Sequence, residues 1–148
     1  MTRLTLASTD DLDRVLPLVA AFHAEMGIEQ GDETRRAALA PLLDGSPHGC
    51  VYLAGPSRAP VGYAAVSFGW SIEFGGLDGY LDELYIRQGV RGRGLATELL
   101  TALPETLAEA GLRAMHLEVS RTNAKTIELY RKRRFEPREQ YMLMSRRF

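Results

Sequence analysis

A single cysteine, Cys50 in "GCVYLA", rules out an intramolecular disulfide, and with it a small secreted domain stapled by bridges. Set in an apolar run, that thiol reads as core and not as a nucleophile. Charge of either sign is equally scarce in excess: the net charge is -1, so no global field draws the chain to nucleic acid or to an anionic membrane, and neither is an expected partner. No stretch approaches the roughly 20 apolar residues of a membrane helix, and "MTRLTLASTDDLDRVL" lacks the apolar run of a signal peptide. A cytoplasmic location is the expectation. His23, His48 and His116 have no metal-like spacing, so no metal is expected, and there is neither an internal repeat nor a low-complexity tract.

What remains is an ordinary composition, 45% hydrophobic and 25% charged, enough to bury one core, and a length of 148 residues that implies a single domain over 1–148. "RLTLA" alternates as a short strand does. Leu12, Val15, Leu16, Val19, Phe22 and Met26 then recur at helical spacing up to Gly27, and "DETRRAALAPLLDG" gives a second helix that Pro41 should bend or split. "CVYLA", "VGYAAVSFGW" and "YLDELYI", separated by Gly, Pro and Ser turns, predict three successive antiparallel strands. A helix follows in "GLATELLTALPETLAEAG", perturbed late by Pro104. A strand in "AMHLEV", a helix in "NAKTIELYRKRR" and a last strand in "EQYMLMSRR" complete the order. The fold class is α/β of the mixed α+β kind, helices covering a sheet that is antiparallel early and joined by helical crossovers late.

The densest chemistry lies in "QGVRGRGLATELL", where Gly89, Gly92 and Gly94 fall between a strand ending at Ile86 and a helix beginning near Gly94. Free backbone N–H groups and the positive end of the helix dipole point the same way at such a junction, and glycine lets the backbone approach an anion closely. Arg91 and Arg93 add positive charge, and a pyrophosphate is the natural guest. The stretch is not a Walker loop, which needs Gly-Lys-Ser/Thr where this chain has Gly94-Leu95-Ala96, and it lacks the third glycine of a dinucleotide fingerprint.

"RGRGLA", Arg91 to Ala96, resembles the Arg/Gln-x-x-Gly-x-Gly/Ala signature of the GCN5-related N-acetyltransferase (GNAT) superfamily, and "NAKTIELYRKRRF", Asn123 to Phe135, resembles that family's late helix. The element order is similar across nearly the whole chain. The resemblance implies a largely antiparallel central sheet of about six to seven strands flanked by about four helices, with acetyl-CoA as co-substrate and an amine as acceptor. It implies that Arg91, Gly92, Arg93, Gly94, Leu95 and Ala96 hold the pyrophosphate. Backbone groups of Leu84, Tyr85 and Ile86 would bind the pantetheine arm, Asn123 would contact the cofactor, and Tyr130 would sit beside its sulfur. Homodimers are common among proteins of this kind. One departure stands out: the family ends the late helix in Gly-Phe, this chain in Arg134-Phe135, so Arg134 must find a termination other than a left-handed cap.

Acyl transfer to an amine needs a base, a polarised carbonyl and support for the departing thiolate. Asp82 and Glu83 are the candidate bases, and strand alternation sends their side chains to opposite faces. Tyr130 is the candidate donor to the thiolate. A phenol near pKa 10 is a poor full acid towards a thiol near 8.5, so a strengthening hydrogen bond is the better role. "WSIEFGG", Trp70 to Gly76, could wall an acceptor pocket, with Glu73 and Asp78 favouring a cationic amine, or Trp70 could be core or a dimer contact. "RKRR", Arg131 to Arg134, reads as a solvated helix end, with the adenosine phosphates of CoA as the alternative partner for part of it. The reading is an acetyl-CoA-dependent N-acetyltransferase acting on the primary amine of a small molecule, polyamine-like, amino-acid or aminoglycoside-like. The alternatives are a non-catalytic acyl-CoA-binding module and an acetyltransferase of protein N-termini or lysines.

Overall fold

The computed structural model describes residues 2–148 and divides into two compact units, one running to Glu118 and the other from Val119 to Phe148. The first unit is built as β1 (Leu4–Leu6), α1 (Leu12–Met26), α2 (Asp32–Leu43), β2 (Gly49–Ala54), β3 (Gly62–Ser71), β4 (Gly76–Ile86), α3 (Leu95–Glu109) and β5 (Ala114–Leu117). The second holds α4 (Ala124–Lys132).

The strands form one sheet in the order β1-β2-β3-β4-β5. The first four are antiparallel neighbours, with short turns joining β2 to β3 and β3 to β4 while α1 and α2 lie between β1 and β2, and β5 joins β4 in parallel because α3 carries the chain back across the sheet. The sheet's two faces bury different helices. On one, Val15, Leu18 and Val19 of α1 and Leu39 and Leu43 of α2 pack against Val51, Leu53, Tyr63, Ala65 and Tyr85. On the other, Leu99 of α3 meets Ala54 and Ile86, with Leu84, Leu95 and Ala96 at the margin.

Neither Pro41 nor Pro104 interrupts its helix. An internal proline costs about 3 kcal/mol. Leu99, Leu100, Leu103 and Leu107 are all buried along α3, and each contributes about 1.5–3 kcal/mol, which outweighs the missing bond.

The sheet has five strands, fewer than the six to seven expected, and the strand expected in "EQYMLMSRR" does not form. Residues 139–147 have the β-prone composition but no strand lies beside them in their own unit, and a strand exists only through its partner's hydrogen bonds.

The end of α4 also corrects the expectation. Arg134 takes the left-handed conformation itself, at φ 71°, and is the one non-glycine residue with positive φ among those described. The N–H of Phe135 donates to Tyr130 O at 3.0 Å and that of Arg134 to Arg131 O at 2.9 Å, the paired bonds of a Schellman cap. The Tyr130 and Phe135 rings close the cap edge to face with centroids 5.9 Å apart. Two satisfied carbonyls and an aromatic contact thus hold a side chain where glycine would be unstrained. Arg134→Gly is expected to raise stability by about 0.5–1 kcal/mol, seen as a melting temperature up by about 2–5 °C. An unchanged or lower melting temperature would show that the cap carries no strain.

Candidate active site

β4 supplies the centre of the site, and its register explains how. Ala65 of β3 lies opposite Glu83 and Val66 opposite Leu81, which leaves Asp82 without a partner as the extra residue of a β-bulge. Glu83 therefore shares a face with Ala65. The Ser67 hydroxyl, two residues along β3 and so on that same face, hydrogen-bonds Asp82. The two carboxylates lie on one face, not on opposite faces as unbroken alternation requires, because the bulge removes one step of the two-residue period.

Glu83 is held by two residues directly and by a third through one of them. His23 Nε2 lies 2.6 Å from its Oε2, and the Tyr63 hydroxyl donates to its Oε1 at 3.0 Å. Arg35 Nε in turn donates to His23 Nδ1 at 3.2 Å, while Arg35 Nη2 reaches the Gln30 carbonyl at 2.8 Å and Nη1 pairs with Asp32. His23 and Arg35 are buried, at 6% and 7% exposure. Burial raises the Tyr63 phenol far above its ordinary value and the neighbouring Glu83 charge adds to this, so Tyr63 serves as a donor and never as a phenolate. His23, Tyr63 and Arg35 were not candidates from the sequence. A signal did exist for two of them: Val15, Val19 and His23 fall at steps of four on α1, as do Arg35, Leu39 and Leu43 on α2, so each polar residue sits on its helix's apolar stripe.

Asp82 differs from its neighbour. Partial burial raises its carboxyl above the ordinary value, the Ser67 hydrogen bond opposes this, and repulsion from Glu83 and Glu118 adds to it. Further along the same face Asp78 meets His116 Nε2 at 3.2 Å, the Tyr80 hydroxyl donates to Glu118 at 3.3 Å, and the Phe74 ring stands 5.1 Å from that of His116. Ser67, Gly69, Asp78 and Tyr80 line a cleft of about 200 Å³ there. Trp70 alternates to the other face and is 76% exposed, so it is not core.

Beyond the bulge β4 loses its second neighbour. Its parallel pairing with β5 ends at Leu81 and Leu117, so from Asp82 to Ile86 the strand is paired on the β3 side only, and its other edge offers backbone groups to a guest. The Leu84, Tyr85 and Ile86 side chains pack into the two cores. On that edge the Leu84 backbone and the Ile86 N–H remain available, because the Tyr85 groups turn towards β3 and the Ile86 carbonyl accepts from Arg91.

After β4 a single 3-10 turn, Gln88–Val90, leads into the glycine loop. Gly92 and Gly94 take φ of 78° and 81°, and an added Cβ would meet nothing within 4 Å at either. Conformation, and not crowding, requires glycine there. Gly94 caps α3, its carbonyl accepts from Glu98 N at 3.0 Å, and the N–H groups of Leu95, Ala96 and Thr97 in the first turn have no carbonyl four residues back inside the helix. Such unpaired backbone donors at a helix start are the arrangement an anion site requires.

Arg91 has a different place from the one its motif suggests. Its Nε donates to Ile86 O at 2.8 Å, its Nη2 contacts both Glu25 oxygens at 2.7 and 2.8 Å, and its guanidinium lies 5.4 Å from the Tyr85 ring centre. The side chain straps the loop to β4 and α1. Arg93 is exposed.

Asn123 and Tyr130 belong to the second unit. Asn123 is the N-cap of α4, its Oδ1 accepting from Thr126 N at 3.1 Å. That leaves its amide N–H groups for a ligand. Burial raises the Tyr130 phenol above its ordinary value.

The sequence pattern of the acetyltransferase (GNAT) family matches residues 16–135, well over half of the chain. The chain belongs to the GNAT acetyltransferase family. Among solved structures it superposes on an integron cassette protein from the mobile metagenome of Cole Harbour Salt Marsh with TM-score 0.84 at 26% identity, over 97% of this chain and 89% of that one. It superposes on an aminoglycoside N-acetyltransferase in complex with CoA with TM-score 0.79 at 17% identity, over 100% and 96% of the two chains. A ribosomal-protein-alanine N-acetyltransferase from Brucella melitensis biovar Abortus 2308 gives TM-score 0.76 at 19% identity, over the whole of both chains. At such identities the last two likenesses establish the GNAT fold alone. No curated protein compared by sequence is similar enough to count as a relative.

The Asp82 environment makes a signed prediction. A carboxyl whose folded pKa is raised adds stability below its unfolded value and loses it as pH rises through the folded value, so at neutral pH the Asp82 charge opposes folding. Asp82→Asn is expected to melt higher than wild type near pH 7, with the difference shrinking as pH falls through the raised folded value towards about 4 and level below that. A gain that is independent of pH would contradict the electrostatic account.

Proposed function

We propose that this GNAT chain is an acetyl-CoA-dependent N-acetyltransferase acting on the primary amine of a small cationic molecule, with Glu83 as the base. The observation that carries the reading is the position of Glu83: fixed by donors on both oxygens, beside the bulge from which β4 continues with one edge unpaired.

The residues present fit acetyl-CoA. Two left-handed glycines and the opening N–H groups of α3 suit a pyrophosphate, and the free edge of β4 along Leu84 to Ile86 offers the Leu84 backbone and the Ile86 N–H to an amide-bearing arm. Acetyl-CoA would supply the activated acetyl group. Arg91, spent on Glu25 and Ile86, would hold the loop's shape, while Arg93 adds charge and Asn123 an amide.

An aliphatic amine with a pKa of roughly 10 arrives protonated at neutral pH. The ammonium must first shed one proton to water, which gives the nitrogen its lone pair, and once that neutral amine bonds to the carbonyl carbon its nitrogen becomes far more acidic. Glu83 would therefore attract and orient the amine and take this second proton from the nitrogen as the new C–N bond forms. One donor on each oxygen leaves lone pairs free for this work. Asp82, Asp78 and Glu118 on the same side favour a cation, which is why a small polyamine-like, amino-acid or aminoglycoside-like amine is preferred over a neutral acceptor. Tyr130 would donate a hydrogen bond to the departing sulfur. Its raised pKa makes complete proton transfer still less favourable than for a free phenol.

The test is release of the CoA thiol from acetyl-CoA against a panel of di- and polyamines, amino acids and aminoglycosides. Wild type is expected to turn over at least one cationic amine, and Glu83→Gln to lose about 100-fold or more in kcat with KM for acetyl-CoA within about twofold. CoA binding without turnover of any amine or peptide would replace the enzyme by a binding module, and an unaltered Glu83→Gln would remove Glu83 as base.

A further inference from the structure

His23 and Glu83 resemble, in outline, the acid and imidazole of a hydrolase, where the imidazole is the base. The donor chemistry of Arg35 reverses those roles. A guanidinium Nε–H can only donate, so His23 Nδ1, at 3.2 Å, must be the bare acceptor nitrogen. The ring proton then resides on Nε2, which donates to Glu83 Oε2 at 2.6 Å. A doubly protonated ring would set N–H against N–H across the Arg35 contact. Both His23 and Arg35 are too buried for water to relieve that clash.

We infer that Arg35 and His23 are positioning residues: Arg35 locks His23 as the neutral Nε2–H tautomer, and His23 thereby fixes the orientation of the Glu83 carboxylate towards the acceptor amine. The inference rests on the reading of Glu83 as base. His23 has no free basic nitrogen in this arrangement, one being protonated and the other occupied by Arg35. It can neither abstract the amine's proton nor receive it from Glu83. The proton that Glu83 accepts must leave by the carboxylate's open side, whose side chain is 23% exposed, while Tyr63 holds the other oxygen from β3.

Every element packed around Glu83 contributes to this balance. α1 presents His23, α2 presents Arg35 with Asp32 bound to it, β3 presents Tyr63, and β4 itself carries Asp82 and Tyr85. Arg35 is the one cation in the set, and it acts through the imidazole ring.

The decisive measurement is the 15N spectrum of the protein labelled at histidine, taken near neutral pH. The expected result is a His23 ring protonated at Nε2 and bare at Nδ1. A ring protonated at Nδ1, or at both nitrogens, overturns the inference and leaves the assignment of Glu83 as base untouched. Kinetics supply the second readout. His23→Gln can place an amide N–H towards Glu83 and an amide oxygen towards Arg35, so it should keep kcat within about threefold, whereas His23→Leu should lose about tenfold with KM for acetyl-CoA unchanged. Equal losses in both variants at equal melting temperature, or no loss in His23→Leu, contradict the positioning role. Should either variant fail to fold, the wild-type spectrum still decides. A Glu83→Gln enzyme with full turnover, beside an Nε2–H ring, sinks the base assignment and not the tautomer.

Discussion

The bulge at Asp82 is the constraint on which the site depends. One unpaired residue in the middle of β4 shifts the alternation, so that Leu81 faces away from α1 and α2 while Asp82 and Glu83 both face the side those helices cover. It lies one residue past the last contact between β4 and β5. A single irregularity thus coincides with two features that acyl transfer needs: carboxylates gathered on one face, and a stretch of strand whose outer edge is unpaired. Without it, the sequence "YLDELYI" would split its acids between the two faces and the same core would bury one of them.

Placing Glu83 under the helices has a cost that the rest of the first unit is arranged to offset. A partly buried carboxylate is unfavourable unless hydrogen-bonded, and Glu83 has donors from α1 and β3. His23 then needs an acceptor's partner, which Arg35 supplies, and Arg35 needs anions and carbonyls, which Asp32 and Gln30 supply at the open end of α2. The chain of polar contacts runs from the strand to solvent through two helices, and each buried member is satisfied by the next. The glycine loop is secured in a different way, by Arg91 bridging Ile86 and Glu25, which ties the loop after β4 to α1.

Much of this was legible in the sequence because it is local. The strand-glycine-helix junction, the order of the first nine elements and the pair Asp82-Glu83 follow from spacing and turn chemistry within a few residues. What escaped is non-local or depends on partners. A bulge is set by the opposing strand, and "YLDELYI" reads as plain alternation without β3 beside it. His23 and Arg35 were visible only as polar residues on apolar stripes, and that they converge on one carboxylate follows from how α1 and α2 pack over the sheet. Arg91 matched its motif by type, yet its charge is taken up by a residue 66 positions earlier in the chain. Arg134 misled through a propensity, since two backbone bonds and an aromatic contact outweigh the strain of a left-handed arginine. The expected last strand erred the other way: its residues favour β structure, but a favourable composition without a neighbouring strand makes none.

Charge sets the acceptor side of the site and backbone geometry the donor side, and the backbone can be observed directly. Backbone amide signals of 15N-labelled protein, followed during titration with CoA, should shift most at Gly92 to Thr97 and, together with them, at Leu84 to Ile86. Saturable shifts confined to both segments would support a pyrophosphate held by the α3 opening and an arm laid along the free edge of β4. Shifts absent from both, at CoA concentrations that saturate any other response, would contradict it.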